Sequence, residues 1–556
     1  MPILYLDIET NLAHSAVWCA GYAVDDGEPL ITTSPHEVQG LIADASFIVG
    51  HNIIGFDAPV IERVWGVQVP TKKMVDTLVL SRLVDPSIDG GHSLAAWGVR
   101  LLMPKGDFTD YDSGYSEEMA AYCKQDIRVT RALHKRLVRE LDSKDFSLEC
   151  RELERQVAVV IEQQQRHGFC YDIVKGIALA DKCAARMLEL ESYFATRFPA
   201  REVQAYSVAT RRALKPYEEA FNIGSRVQIA EKLCEAGHGA KLSKRTPGGR
   251  YKMDEETLAG IDCEEARLLE EFLTIQKRSS QIAQWHKYVK PTGRIHGRVI
   301  TNGAVTGRMT HQAPNMAQVP SCGGYMGTEC RGLFHAEFGK KLVGIDASSL
   351  ELRMLAHYMK DADYTKAVVE GSSKLGTDVH TRNQLSAGLS TRDQAKTFIY
   401  AFLYGAGAGK IGEIVGGGAA EGGKLINSFM KSTPALQALK NKVDQLAARG
   451  FIKGLDGRML NIRSQHSALN TLLQGAGAIV MKKALVILYL KIREAKLDAK
   501  FVVNVHDEWQ LECAEQEAER VGEMGVLAIK EAGEYYKMRC PLDGEYKVGS
   551  TWADTH

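Results

Sequence analysis

Asp7 and Glu9, two apart in ILYLDIET, are the first residues whose spacing could do chemistry. Side chains alternate between the faces of a strand, so both carboxylates point the same way. Charges aimed at one point repel unless a cation lies between them, and an all-oxygen ligand set suits Mg²⁺ or Mn²⁺. The competing reading is a solvated strand end, where acids are common. Two further features favour the cation. GHNIIGFD sets Asp57 just after a buried-looking strand, with Asn52 near enough to hydrogen-bond, and Tyr122 and Asp126 are four apart on a predicted helix, hence on one face.

A second set lies towards the C-terminal end. KKLVGIDASSLELRMLAHYM reads as an apolar strand ending at Asp346, a turn, and a helix from about Leu350. A carboxylate at the C-terminal end of a strand faces the crevice where ligands bind in α/β architecture. FVVNVHDEWQLEC reads as strand, turn and strand with His506, Asp507 and Glu508 at the tip, which is also an ordinary place for exposed acids. Between them, Thr391 and Gln394 form a capping box that predicts a helix from about Arg392. Arg392, Lys396, Tyr400 and Tyr404 then recur every four residues along one face, and Gly405 stops the helix. Two cations followed by two aromatics fit a nucleoside triphosphate, with charge for the phosphates and ring faces for sugar and base. The alternative is a solvated charged end running into a core stripe.

The elements that must hold these residues follow from periodicity. ILYLDIET, GYAVDD and SFIVGHN read as short strands, and 117–141 has apolar residues at spacings of three and four, so 1–145 is an α/β unit. From 149 to about 283 the pattern is nearly all helical, broken by the loop GAKLSKRTPGGR. After Lys290 Gly-rich turns mix with strands and helices. No run approaches the ~18 apolar residues of a membrane span, and the start has no secretory pattern. Eleven cysteines without a C-x-x-C pair argue against a disulfide framework or zinc ribbon and suggest a reducing cytoplasm.

The chain has 69 Lys+Arg and 69 Asp+Glu, a net charge of zero that at first argues against a nucleic-acid protein. Counted by position the zero divides. Within 1–150 there are 22 acidic and 13 basic side chains, a balance of −9, while 151–556 carry 47 and 56, a balance of +9. Such asymmetry points to different partners or chemistry at the two ends.

LDIET, HNIIGFD and YCKQD resemble the three motifs of DEDD 3′–5′ exonucleases, in the variant with Tyr four before the last Asp. The resemblance implies that Asp7, Glu9, Asp57 and Asp126 hold two metal ions and that Tyr122 orients the attacking water. Two ions about 3.5–4 Å apart suit in-line phosphodiester cleavage. DASSLELR, RDQAKTFIYAFLYG and VHDE resemble motifs A, B and C of family A (Pol I type) DNA polymerases, in the same order. GRIHG, NGAVTGRMTHQAPNMAQVP, KGLDGR and HSALNTLLQGAGA bring the likeness closest to the replicative enzymes of T-seven-like short-tailed phages.

What the resemblance implies is an α/β, RNase H-like exonuclease domain followed by an α+β right hand of palm, fingers and thumb. The expected boundaries are exonuclease 1–145, thumb 146–300, palm with motif A 301–380, fingers with motif B 381–465, and palm with motif C 466–556. Asp346 and Asp507 would ligate two Mg²⁺ ions, replaceable by Mn²⁺, with Glu508 near them. Arg392 and Lys396 would bind the incoming dNTP with His380 beside them, and Lys396 would either protonate the leaving pyrophosphate or only bind it. Glu351 resembles the steric gate that, with Tyr404, excludes a ribose 2′-OH. Tyr400 stands where many relatives carry Phe, which implies weak discrimination against dideoxynucleotides. Arg308, Gln318, Asn470, Gln474 and His506 look like contacts to primer–template DNA, although the Asn and Gln could equally cap local turns.

The partners implied are primer–template DNA and dNTPs, with a replicative helicase/primase and a single-strand-binding protein beyond them, no membrane, and a host cytoplasm. The region 185–255 lacks the long thumb insertion by which some phage relatives recruit thioredoxin, so no thioredoxin clamp is expected. Three readings compete: a nuclease whose C-terminal part only binds nucleic acid, an inactive processivity or scaffold subunit, and a single-subunit RNA polymerase. The first leaves the Arg392 to Tyr404 stripe unexplained, the second sits badly with six acidic metal positions, and Glu351 and the exonuclease motifs oppose the third.

Overall fold

The strand β1 (Ile3–Thr10) is buried along most of its length because it lies in the middle of a five-stranded sheet. It pairs antiparallel with β2 (Val17–Val24) and parallel with β4 (Phe47–Gly50). β3 (Leu30–Thr32) and β5 (Met74–Asp76) form the two edges. A central strand covered on both faces tolerates few polar residues, which makes Asp7 and Glu9 conspicuous there. Three helices complete what the site needs: α1 (Asp57–Trp65), α2 (Thr77–Val84) and α3 (Glu117–Ser143). Ser116 caps α3, and its buried stripe Met119, Cys123, Asp126, Ile127, Thr130 and Leu133 faces the sheet. Gly21 on β2 permits that approach, since a Cβ there would fall 2.6 Å from Cys123 Sγ.

The computed structural model describes residues 1–206, 212–239, 242, 245–246 and 248–556. Of the loop GAKLSKRTPGGR, Ala240, Lys241, Ser243, Lys244 and Pro247 lie outside the described residues. The stretch after 149 is less uniformly helical than its pattern. α4 (Leu148–His167) is followed by β6 (Phe169–Tyr171), too short to leave a periodic signature, which pairs with the strands Arg294–Ile295 and Phe334–His335. α5 (Ile173–Arg197) and α6 (Glu264–Tyr288) share a separate core and are tied by Arg186 and Glu271 at 2.8 Å.

The C-terminal sheet is antiparallel throughout. β7 (Lys340–Ala347), β8 (Ala499–Val505), β9 (Glu508–Ala514) and β10 (Gly544–Gly549) run in the order β8-β9-β7-β10. α7 (Leu350–Met359), α8 (Val379–Ala387), α9 (Arg392–Leu403), α10 (Ala468–Glu494) and α11 (Ala518–Tyr535) share one core with this sheet, α11 lying on β7 and β10, and the core also takes Leu153, Val157 and Ile161 of α4. Contrary to the reading that no stretch approaches a membrane span, 465–494 is long and apolar enough to qualify. It is 78% buried inside the fold, as the core helix of a packed domain is.

Candidate active sites

At the N-terminal site β1 supplies Asp7 and Glu9, the start of α1 supplies Asp57, and one turn of α3 supplies Tyr122 and Asp126. Glu9, Asp57 and Asp126 are 6%, 2% and 2% exposed, which removes the solvated strand end as an account of them. Asp57 Oδ1 accepts from Ile8 N at 3.1 Å, locking it to the strand between the other two acids. Asn52 is used differently from the expectation. Its backbone is left-handed (φ 66°) and its N–H donates to Asp76 Oδ1 at 3.0 Å, so it shapes the loop before Asp57. Burial and the charges of Asp57, Asp126 and Glu9 push the Asp7 carboxyl well above its usual range. Burial also lifts Glu9 to about 8, Asp57 to about 7 and Asp126 to about 6. Asp126 Oδ1 is buried with no hydrogen-bond partner, and oxygens of Asp7 and Glu9 lie within 4.8 Å of each other and of Cys123 Sγ. An orphaned buried oxygen among mutually repelling carboxylates fits a divalent ion.

At the C-terminal site Asp346 ends β7 directly opposite Glu508, and Ala347 N donates to Asp507 O at 3.2 Å, bringing the two aspartates side by side. Burial, then the charges of Asp507, Glu508 and Glu545, lift Asp346 to about 7, and burial raises Asp507 as well. Two adjoining carboxylates, both raised by burial and with Asp346 raised further by the charge of Asp507, fit divalent ions held by oxygen ligands. Glu508 does not share their exposure to the cleft. It is buried, accepts from Trp552 Nε1 at 2.6 Å and Gln510 Nε2 at 2.7 Å, and lies 3.6 Å from Arg331. His556, 3.3 Å away, together with Arg331, Gln510 and Trp552 holds its carboxyl below the usual value against the effect of burial. It is thus near the site but turned into the sheet.

The helix α9 starts and stops where its residues predict, with the capping box of Thr391 and Gln394 formed and Gly405 left-handed (φ 77°) beyond its end. Its core stripe is Ala395, Phe398, Ile399 and Leu403, and Arg392, Lys396, Tyr400 and Tyr404 follow the adjacent face, on which Tyr400 still packs against that core. Arg392 is engaged with Asp378, the N-cap of α8, at 2.9 Å. His380 stands beside the stripe, its ring 6.2 Å from that of Tyr400. Burial holds it below its ordinary value. Tyr404 donates its hydroxyl to both oxygens of Glu351 at 2.7 and 2.8 Å, and Arg308 meets the same carboxylate at 3.1 Å. Arg308, His506 and Asp507 line one small cleft with Asn504 and Lys482. Asn470 and Gln474 share a face of α10, and Gln318 is exposed at the end of the turn Met316–Gln318.

Several functional residues escaped sequence reasoning. Asp76 is buried and accepts from the backbone N–H of Asn52, Ile54 and Leu78, fixing the Asp57 loop to α2. Its signal was an acid between an apolar strand and an apolar helix, an N-cap position. Asp378 caps α8 while holding Arg392. Glu154, Asp456, Arg458 and Lys482 form a buried ion network joining α4, the loop after the strand Phe451–Lys453, and α10. Those partners lie up to 328 residues apart, beyond any local pattern.

The family model for DNA polymerase family A matches residues 190–554. The DNA-directed DNA polymerases of Enterobacteria phage T3 and Escherichia phage T7 are each 34% identical to this chain, covering 93% of it and 94% of their own length. DNA polymerase I of Aquifex aeolicus is 25% identical, covering 99% and 96%. Among solved structures, the POL domain of Pol1 from M. smegmatis in complex with DNA primer-template and dNTP matches with a TM-score of 0.81. It covers 100% of this chain and 96% of its own at 18% identity, a likeness of fold.

Proposed function

Since this chain belongs to DNA polymerase family A, we propose that it extends primer 3′ ends with dNTPs at Asp346 and Asp507 and removes 3′-terminal nucleotides at Asp7, Glu9, Asp57 and Asp126. One observation carries the reading. Asp346 and Asp507 adjoin at one end of the sheet's strands while Glu351, just past the turn after Asp346, is gripped by Tyr404 of the cation–aromatic stripe. In this reading 1–145 is the exonuclease, 146–300 the thumb, 301–380 and 466–556 the palm, and 381–465 the fingers.

Divalent ions at the two clusters, Mg²⁺ by preference with Mn²⁺ as substitute, would supply the charge that activates the attacking oxygen and neutralises the phosphate. The protein's own groups do the rest. Glu351, fixed from two sides, fills the space a ribose 2′-OH would need, and Tyr400 offers a ring face one turn before Tyr404. Arg392 must leave Asp378 to meet a triphosphate, for which its planar fork is suited, and exposed Lys396 lies one turn further along. Arg308 and His506, which line the cleft beside Asp507, would meet the duplex together with Asn470, Gln474 and Gln318. At the N-terminal site Tyr122 holds its ring one turn before Asp126, in reach of a water on that face.

The partners in this reading are primer–template DNA and dNTPs, together with a helicase/primase and single-strand-binding protein, and no thioredoxin clamp. The alignments to the phage relatives are 667 positions long yet use 93% of a 556-residue chain, so those relatives carry over a hundred residues that this chain lacks. That difference supports the absence of a clamp-binding insertion. Primer extension that lengthens greatly on adding thioredoxin would contradict it.

The test is a 5′-labelled primer–template with Mg²⁺, with and without dNTPs, for wild type, Asp7→Ala/Glu9→Ala and Asp507→Ala. Shortening without dNTPs should need Asp7 and Glu9, and lengthening should need Asp507. Normal extension by Asp507→Ala would refute the polymerase site, and unchanged shortening by Asp7→Ala/Glu9→Ala the exonuclease site.

A further inference from the structure

The N-terminal cluster contains a cation that its motifs do not include. Lys105 lies on the strap between the helix Leu94–Arg100 and α3. Its Nζ is 2.5 Å from Asp126 Oδ2 and 4.6 Å from the centre of the Tyr122 ring. A lysine is ordinarily a mobile charge on a flexible stem, but this one is 23% exposed and its strap is pinned on both sides. Gln125 Nε2 donates to Pro104 O at 3.2 Å and Met103 N to Gly98 O at 2.8 Å. Further along, Trp18 Nε1 donates to Tyr111 O at 2.8 Å, Leu12 N donates to Asp112 Oδ1 at 3.0 Å, and Phe108 packs against both Tyr111 and Tyr122.

The consequence falls on Asp126. A carboxylate can turn about its last bond, and in a cluster of four acids its orientation decides which oxygen is offered as a ligand. Here Oδ2 is taken by Lys105 while Oδ1 is buried and has no partner. Resting on the reading of this cluster as a 3′–5′ exonuclease site, we propose that Lys105 is a positioning residue. It clamps Asp126 Oδ2 so that Oδ1 is the oxygen presented to a divalent ion, and by lying on the Tyr122 ring it fixes tyrosine and aspartate relative to each other. Partners that orient a ligating carboxylate in this way typically account for 10–100-fold in metal affinity or activity.

The experiment uses the full chain as wild type, Lys105→Met and Lys105→Arg, each also in the Asp7→Ala/Glu9→Ala background. Exonuclease kcat and KM are measured on a labelled single-stranded oligonucleotide. Mn²⁺ binding is followed by electron paramagnetic resonance, the exonuclease ions being the difference between each protein and its Asp7→Ala/Glu9→Ala counterpart. Lys105→Met should lower kcat and weaken that Mn²⁺ binding by roughly 10–100-fold each, with KM for DNA nearly constant and primer extension unchanged. Lys105→Arg should recover most of both. Retention of kcat and Mn²⁺ affinity by Lys105→Met overturns the proposal. So does tighter Mn²⁺ binding, which would make Lys105 a competitor for the ion's place, and so does loss of kcat alone, which would assign it to the phosphate. If wild type shortens nothing, or shortens equally after Asp7→Ala/Glu9→Ala, the exonuclease reading itself fails, and this proposal with it.

Discussion

Glu9 offers a quantitative handle on the N-terminal cluster through pH. Burial, with the charge of Asp126 added, raises its carboxyl from 4.5 to about 8. In the unfolded chain it titrates near 4.5, so between about pH 4.5 and 8 the folded protein keeps a proton that the unfolded chain has lost. Stability of the metal-free protein therefore falls as pH rises through that window, the opposite of a salt-bridged acid. At ~1.4 kcal/mol per pH unit the displacement amounts to about 5 kcal/mol. Asp57 and Asp126 are raised in the same direction, but all three share one repulsion and their effects do not add. For a unit of this size a kilocalorie moves the melting temperature ~2–4 °C, so the first thermal transition in EDTA should drop on the order of 10 °C between about pH 5 and 8. A divalent ion that binds only the folded form restores about 2.7 kcal/mol at a hundred times its Kd, so Mg²⁺ or Mn²⁺ at pH 8 should raise the transition again. Glu9→Gln keeps the shape and removes the charge. Its transition should lie above that of wild type at pH 8 and vary less with pH. Scanning calorimetry on the full chain in EDTA reads both. A first transition that is flat or rises with pH in wild type, or an equal slope in Glu9→Gln, refutes the argument from burial.

Three further outcomes follow from the C-terminal half. Tyr404→Phe removes the donor to both oxygens of Glu351 and leaves only Arg308 on that carboxylate. At ~1–2 kcal/mol for such a hydrogen bond, selection for dNTP over rNTP should weaken roughly tenfold, and an unchanged ratio of kcat/KM values would remove the gate from this pair. Tyr400, read as weak discrimination against dideoxynucleotides, should let ddNTP and dNTP compete nearly evenly in wild type and less so in Tyr400→Phe. Strong preference for dNTP in wild type contradicts it. Lys482 and Arg458 both contact Glu154 Oε1, at 2.5 and 2.6 Å, with every side chain there 2% exposed or less. Lys482→Met leaves a buried negative charge in excess and should cost about 3–5 kcal/mol. Pairing it with Glu154→Gln should recover much of that, and equal urea midpoints for wild type and Lys482→Met would show the network to be dispensable.

The parts of the fold that were legible in the sequence are those with a local cause. The helix α9 was readable because its capping box, its four-residue spacing and its terminal Gly405 lie within fifteen positions. β1 was readable because two acids set into an apolar strand carry a desolvation cost that a bound cation or a solvated end must relieve. What stayed hidden depends on chain closure. Lys105 has no motif, and it becomes part of the cluster because Gln125, Trp18 and Leu12 pin its strap to α3, to β2 and to the loop after β1. Glu508 looked like a third acid of the motif tip, and the distant Arg331, Trp552 and His556 are what turn it inward. Asn52 was expected on Asp57, but the backbone turn at Asn52 delivers its N–H to Asp76 instead.

The two acidic sites meet the same electrostatic problem with different means, and this gives the split charge a structural sense. At the N-terminal site four carboxylates share one nearby ammonium, that of Lys105. Such a surplus of negative charge attracts divalent ions and repels nucleic-acid phosphates until those ions are bound. At the C-terminal site two aspartates stand beside Arg308 and Lys482, with Arg392 and Lys396 along the facing helix. Lys482 is held by Glu154, Arg308 by Glu351 and Arg392 by Asp378, while Lys396 is exposed where it can meet the phosphates of a polyanion. In the proposed reading the N-terminal cluster acts on a chain end delivered to it, while the larger part keeps hold of the duplex. The balance of −9 in 1–150 against +9 in 151–556 has the sign each of those two parts calls for, and the net charge of the whole chain describes neither.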